Sequence, residues 1–334
     1  MPMLASKQRS TYHLLVIALC LCILFLLLGQ KTSSSSFSSL SSVAENAMQG
    51  KSSTQPCPDI SQFRETCLDP HGPQPYILMT LGRSGSGSTW QVIGNLTGFE
   101  TPSQEYTGGG PAKSERFFEK HAGNNNDRWL LVNLCSKQLN FPEAGVVGFK
   151  WKPFETIFSP PAQAGLRRVA SLKRPEILVV RSRRNLLDVI ISKYKHSIYD
   201  GQVAAAHCLK GDEKCITKGI KASTGLELPI DNLLETLREY QTLEDKVDKM
   251  LKDMKIPHVQ VTYEKLYYNG DDTSEWMKIF KLLGVGPAKG LTRKQLEGAM
   301  EHVATHAPTQ KATLKNFQNV SKLLEGTEFQ SLLH

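Results

Sequence analysis

The sequence has no internal repeat and no thiol redox motif, and neither of its close cysteine pairs, Cys57 with Cys67 or Cys208 with Cys215, has metal-site company in histidine or cysteine, so solenoids, redox centres and zinc-type sites are not the readings it favours. Aromatic residues make up 8% of the chain and are not interleaved with clustered lysine and arginine, so the net charge of +8 points to an acidic small ligand rather than to nucleic acid. Long apolar runs are scarce as well. The one that is present, residues 14 to 28, extends through Tyr12, His13 and Gly29 to roughly the ~20 residues that span a bilayer.

Lys7 and Arg9 precede that run and no acidic residue does, which keeps the short N-terminus in the cytosol and sends the rest of the chain into the secretory lumen. Residues 1–11 read as a cytosolic tail, 12–29 as a transmembrane signal anchor and 30–56, serine-rich and without periodicity, as a flexible stem. A cleaved signal peptide is the alternative, against which stand the length of the apolar core and the want of an A-x-A site after it. Residues 57–334 then form one luminal domain. A single-pass type II protein with anchor, stem and luminal domain has the layout of Golgi membrane enzymes that modify glycans, although a stem also suits any tethered ectodomain. In an oxidising lumen Cys57 with Cys67, and Cys208 with Cys215, are expected disulfides, Cys135 a buried free thiol, and Cys20 and Cys22 lipid-facing. Asn95 and Asn319 begin glycosylation sequons, of which Asn319 is the better acceptor because Asn95 lies on a helix expected to be buried.

Apolar runs at Tyr76–Leu81, Val146–Trp151, Ile177–Arg181 and Val259–Tyr263 alternate with helical patterns, the signature of an α/β fold with a central parallel sheet. Ile230, Leu233, Leu234, Leu237, Val247, Leu251 and Met254 recur near helical spacing and mark an amphipathic helix against one sheet face. The first run stops at Gly82-Arg83-Ser84-Gly85-Ser86-Gly87-Ser88-Thr89, small residues that let backbone N–H groups and the positive end of the next helix converge on an anion. This nearly spells the NTPase P-loop, but Ser88 stands where the lysine belongs and no strand ends in an obvious magnesium-holding aspartate. What remains is a phosphate cradle with a displaced cation, Arg83. The plainer reading is a Gly/Ser turn before a helix.

A second stretch, Pro175 to His196, delivers Arg181, Arg183 and Arg184 to a turn and opens a helix, with Ser192 eight residues beyond Arg184. Arginine suits a forked phosphate contact. Both stretches resemble the donor site of sulfotransferases that use 3'-phosphoadenosine 5'-phosphosulfate (PAPS). Ser86-Gly87-Ser88-Thr89-Trp90 is similar to one form of the 5'-phosphosulfate loop, K-S-G-T-T-W, and Arg83-Ser84-Gly85-Ser86 to another, R-S-G-S-T; both registers stay open. Arg184-Asn185-Leu186-Leu187-Asp188-Val189-Ile190-Ile191-Ser192 resembles the 3'-phosphate motif R-N-P-x-D-x-x-x-S, departing at the proline. Thr101-Pro102-Ser103-Gln104-Glu105-Tyr106 resembles the turn carrying the catalytic glutamate in the trehalose 2-sulfotransferase and Nod-factor sulfotransferase group.

The resemblance implies a three-layer sandwich of the P-loop NTPase-like sulfotransferase type and a sulfuryl transfer from PAPS, without metal, to an acceptor hydroxyl of a carbohydrate or glycoconjugate. In it Arg83, Ser84, Gly85, Ser86, Gly87, Ser88 and Thr89 hold the 5'-phosphosulfate, Arg184 and Ser192 the 3'-phosphate, and Trp90 stacks on adenine. Glu105 is then the base and Lys150, ending the second strand run, the cation; Lys152 stands where cytosolic sulfotransferases carry a catalytic histidine. Val261-Thr262-Tyr263-Glu264-Lys265-Leu266 resembles the Y-E-x-L closing the last strand, with Glu264 structural, and the basic tail around Lys311 resembles a segment that folds over the nucleotide. Protein-tyrosine sulfation and a non-catalytic, membrane-tethered nucleotide- or glycan-binding module are the alternatives.

Overall fold

A computed structural model describes residues 67–99, 129–152, 155–172, 176–198, 208–286, 290–300, 302–303 and 309–333. The expected anchor at 12–29, the expected stem at 30–56, Cys20, Cys22, Cys57 and Glu105 lie outside them. Among the described residues no helix is long and apolar enough to cross a membrane.

Four of the expected runs become strands: β1 (Gln74–Thr80), β2 (Val146–Trp151), β3 (Leu178–Arg183) and, after the two-residue β4 (Cys208–Leu209), β5 (His258–Thr262). β1, β2, β3 and β5 pair in parallel in the order β2-β1-β3-β5, which puts β1 and β3 at the centre. β4 pairs antiparallel with β6 (His302–Val303) in a separate small ladder. Because the crossovers place helices over the sheet, β1 is apolar on both faces rather than alternating, which is why the run reads as continuous.

Strand parity decides what each face meets. Ile77, Met79, Phe149 and Val179 pack on one face against α2 (Trp129–Asn140), α3 (Pro160–Ala170) and α6 (Leu233–Asp253). Tyr76, Leu78, Leu178 and Val180 pack on the other against α1 (Ser86–Thr97), α7 (Tyr263–Tyr267), α8 (Ser274–Leu283) and α9 (Arg293–Ala299). The result is an α/β architecture of three layers. A third apolar cluster joins α4 (Leu186–Ile198) to the start of α6 and to the C-terminal segment, through Leu187, Ile191, Leu237, Leu314, Val320 and Phe329. The remaining helices are α5 (Glu213–Lys221), α10 (Gln310–Thr313) and α11 (Phe317–Leu324).

The cysteine pairing differs from the sequence expectation. Cys208–Cys215 forms as anticipated, but Cys67 pairs with Cys135, 68 positions away, so Cys135 is no free thiol and Cys67 is not available to Cys57. The reason is that the segment entering β1 runs along α2: the Asp69 amide donates to Gln138 Oε1 at 2.9 Å, and Gln138 Nε2 donates to the Pro73 carbonyl at 2.8 Å. Asn95 is half-buried on α1, its side-chain amide donating to the Ala299 carbonyl, whereas Asn319 is exposed on α11.

Candidate functional site

In an open parallel sheet a ligand crevice forms beyond the carboxyl ends of the strands, where neighbouring crossovers leave in opposite directions. Here that point lies between β1, whose chain next joins β2 on one side, and β3, which leads to β5 on the other. The two arginine-bearing loops of the sequence are the ones that follow β1 and β3.

After β1 the chain turns sharply. Arg83 has φ 70°, a left-handed conformation that costs a side-chain-bearing residue about 1–2 kcal/mol. Gly85, also at φ 70°, is the N-cap of α1 and offers no side-chain cap. Thr89 N donates to Gly85 O at 3.0 Å, so the N–H groups of Ser86, Gly87 and Ser88 lie ahead of the first intrahelical acceptor and form the open, positive end of a 12-residue helix. Ser84, Ser86 and Thr89 are buried in this loop, and Thr89 Oγ1 shares a hydrogen bond with Tyr267 Oη at 3.0 Å.

After β3, parity separates the three arginines. Arg181 and Arg183 share the face of Val179 and are bound by α6: Arg181 pairs with Glu244 and with Asp248 (3.2 Å), and Arg183 with Glu244 (2.9 Å) and Asp248 (3.2 Å). Burial pushes the Glu244 carboxyl up, against the downward pull of the two guanidiniums. Arg184 alone turns to the side of the Gly82–Thr89 loop. Its Nη1 donates to the Arg83 carbonyl at 2.8 Å, and its guanidinium lies 4.6 Å from the centre of the Tyr263 ring. Arg83 Nε in turn donates to Ser192 Oγ at 3.1 Å, so the two loops and α4 meet in one place. Asn185 holds the turn by accepting from the Leu187 and Asp188 amides through Oδ1, donating through Nδ2 to the Leu332 carbonyl, and donating its own backbone amide to Glu264 Oε1 at 2.9 Å.

The chemistry of the cluster is cationic. Burial, then repulsion from Arg184, lowers the Arg83 pKa; burial, then Arg83, lowers that of Lys195 on α4; burial, then Lys152, lowers that of Lys193. Three buried polar atoms around the strand ends, Ser84 Oγ, Ser182 Oγ and Arg184 Nε, have no hydrogen-bond partner. Native proteins leave few such groups, because each costs about 1–3 kcal/mol. Backbone N–H groups at a helix N-terminus, converging guanidiniums and unsatisfied donors are what an oxyanion of the phosphate type requires.

Of the sequence candidates, Arg83, Ser84, Gly85, Ser86, Gly87, Ser88, Thr89, Arg184 and Ser192 come together here. Lys150 is buried near the end of β2, directly beside Leu78 of β1, on the sheet face that carries α1. Trp90 departs from expectation: it is 2% exposed, stacked on Tyr76 (5.6 Å between centroids) and edge-on to Phe99, so its indole belongs to the core and leaves no face for adenine. The cause is helical geometry, since one residue past Thr89 the side chain turns inward onto β1. Lys311 is exposed on the four-residue α10. Its neighbour Gln310 reaches the Arg184 turn instead, its side-chain amide donating to Asp188 Oδ1 and the Leu332 carbonyl, both at 2.9 Å. Among the described residues no group of three His, Cys, Asp or Glu side chains is placed to hold a metal ion.

The roles of two residues escaped the sequence reading. Tyr263 is the wall between the loops, and a Cβ on Gly85 would lie 2.3 Å from its ring. Its position at the end of the last parallel strand was the available signal. Glu244 occupies the apolar stripe Leu233, Leu237, Val247, Leu251 of α6, where a lone carboxylate announces a buried cation. No protein-family model matches the chain, and no curated protein is significantly similar to it.

Proposed function

We propose that the cluster is the donor site of a PAPS-dependent sulfotransferase with the P-loop-related sulfotransferase fold, acting on an acceptor hydroxyl of a carbohydrate or glycoconjugate. The observation that carries this reading is the convergence of the Gly82–Thr89 loop and the Arg184 turn on one point, with Ser84 Oγ and Arg184 Nε buried and unsatisfied. The open N–H groups of Ser86, Gly87 and Ser88, with Arg83, Ser84, Gly85 and Thr89, would hold the 5'-phosphosulfate; Arg184 and Ser192 would hold the 3'-phosphate. Bound there, PAPS supplies the sulfuryl group and a phosphate leaving group. Lys150 supplies positive charge near the β1 end where negative charge builds, and the buried surroundings strengthen that interaction. Glu105, in the T-P-S-Q-E-Y turn, takes the acceptor proton in this reading. In this reading the apolar run at 12–29 is the anchor and residues 30–56 the stem of a type II protein with its domain in the Golgi lumen.

The test is calorimetric titration of the full-length protein in detergent with adenosine 3',5'-bisphosphate (PAP), beside Arg184→Ala and with ATP plus magnesium as control. Magnesium-independent PAP binding that Arg184→Ala weakens by about 2 kcal/mol, the scale of a charge-assisted contact, supports the donor site. No PAP binding by the folded protein refutes it.

A further inference from the structure

α5 carries Lys214, Lys218 and Lys221 at i, i+4 and i+7, so at about 100° per residue they fall within an arc of roughly 60° on one side of the helix and span about 10 Å of its axis. All three are exposed, as is Lys210 in the turn just before it. None of the four makes an ion pair among the described residues. Within residues 208–221 the acidic residues are Asp212, which caps the helix by accepting from the Cys215 amide at 3.0 Å, and Glu213. The Cys208–Cys215 disulfide ties the helix start to β4, so the lysines are carried on a stapled element.

The opposite side of α5 is docked beside the donor site. Gly219 is buried, and Lys195 Nζ donates to its carbonyl at 3.2 Å and to Ser223 Oγ. Lys195 lies one turn beyond Ser192 on α4, the serine that meets Arg83. The lysine stripe therefore stands one helix away from the point where the two anion loops converge.

We propose that Lys210, Lys214, Lys218 and Lys221 form the docking surface for an acidic polysaccharide, the acceptor class for the reaction at the neighbouring site. The assignment of an acceptor rests on the sulfotransferase reading; the binding surface itself does not. Regularly spaced like charges on a stapled helix match a chain that repeats carboxylate or sulfate groups, and no aromatic side chain stands between residues 208 and 221 to stack nucleic-acid bases. A membrane-surface helix would need a continuous free apolar face, whereas the side opposite these lysines is occupied by the contact with Lys195.

The test measures retention of the full-length protein on immobilised heparin, with neutral dextran, polyglutamate and phosphatidylserine vesicles as comparison probes, for the wild type and for Lys210→Ser/Lys214→Ser/Lys218→Ser/Lys221→Ser. Heparin binding should fall at least about tenfold in the variant, its salt dependence should shallow by about one counterion per lysine lost, and four Lys→Arg changes should restore it. Heparin binding equal to wild type, or preference for polyglutamate or the vesicles, overturns the proposal. PAP titration of the same samples reports folding of the variant. It also separates the two readings, because absence of PAP binding by the wild type retires sulfuryl transfer whatever the heparin result.

Discussion

Gly85→Ala tests the geometry of the loop most directly. The new methyl meets two costs. The first is the backbone at φ 70°, about 1 kcal/mol or slightly more for a residue with a Cβ. The second is overlap with Tyr263, whose Cε2 and Cδ2 would lie 2.3 and 2.4 Å from the added carbon, far inside an ordinary carbon contact of about 3.5–4.0 Å. Overpacking of this kind costs about 1–3 kcal/mol, so the sum is about 2–4 kcal/mol. At roughly 2–4 °C per kcal/mol for a domain of this size class, the melting temperature should drop by about 4–16 °C. Tyr263→Ala removes the ring, and the same glycine change in that background should cost only the backbone part. The four proteins of the cycle, followed by thermal unfolding, should show a coupling of about 1–3 kcal/mol. If Gly85→Ala costs the same with and without the Tyr263 ring, the loop does not rest on that ring and the proposed cradle is wrong. PAP affinity should fall in Gly85→Ala, because moving the loop away from Tyr263 also moves the Arg83 carbonyl that Arg184 binds.

Glu244→Ala leaves Arg181 buried with Asp248 alone and should cost about 3 kcal/mol by chemical denaturation, while Arg181→Met combined with Glu244→Leu should cost less than the single change; a fully additive double variant would contradict a coupled network. Lys137 on α2 is held by burial at a pKa of about 8 against an ordinary 10.5. The unfolded chain therefore keeps a proton there that the folded chain releases, so Lys137 should make stability rise between about pH 8 and 10.5; Lys137→Met should be more stable at pH 7 and show a smaller rise over that window, the remainder coming from Lys193 and Lys195, and an unchanged pH profile would refute the assignment. Reducing both disulfides should destabilise the fold mainly through Cys67–Cys135, which closes 68 positions against 7 for Cys208–Cys215. Cys67→Ala/Cys135→Ala should lose about 2–4 kcal/mol and Cys208→Ala/Cys215→Ala distinctly less; equal losses would count against loop closure as the cause.

Much of the layout follows from one-dimensional patterns. Runs such as Tyr76–Leu81 and Val146–Trp151 are apolar at nearly every position, Thr80 and Lys150 excepted, as a strand covered on both faces requires, and the stripe on α6 follows from helical period alone. The turn from β1 into α1 was equally legible, because Gly82, Gly85 and Gly87 with intervening serines leave the backbone as the main chemistry there. Contacts between distant segments were not legible. Arg181, Arg183 and Arg184 are alike in sequence, and parity says only that Arg184 faces away from the other two; that α6 brings Glu244 and Asp248 to the first pair, and the Arg83 carbonyl and Tyr263 meet the third, depends on what packs on each face. Cys67 sits ten residues from Cys57 and 68 from Cys135, yet pairs with the far one, because the segment entering β1 is hydrogen-bonded along α2. Trp90 belongs to the core for the same kind of reason. Local sequence determined the period, the turn and the residue types at the strand ends. The tertiary structure decided which of those residues share a face, since burial, charge pairing and cross-linking act between atoms that are close in space whatever their separation along the chain.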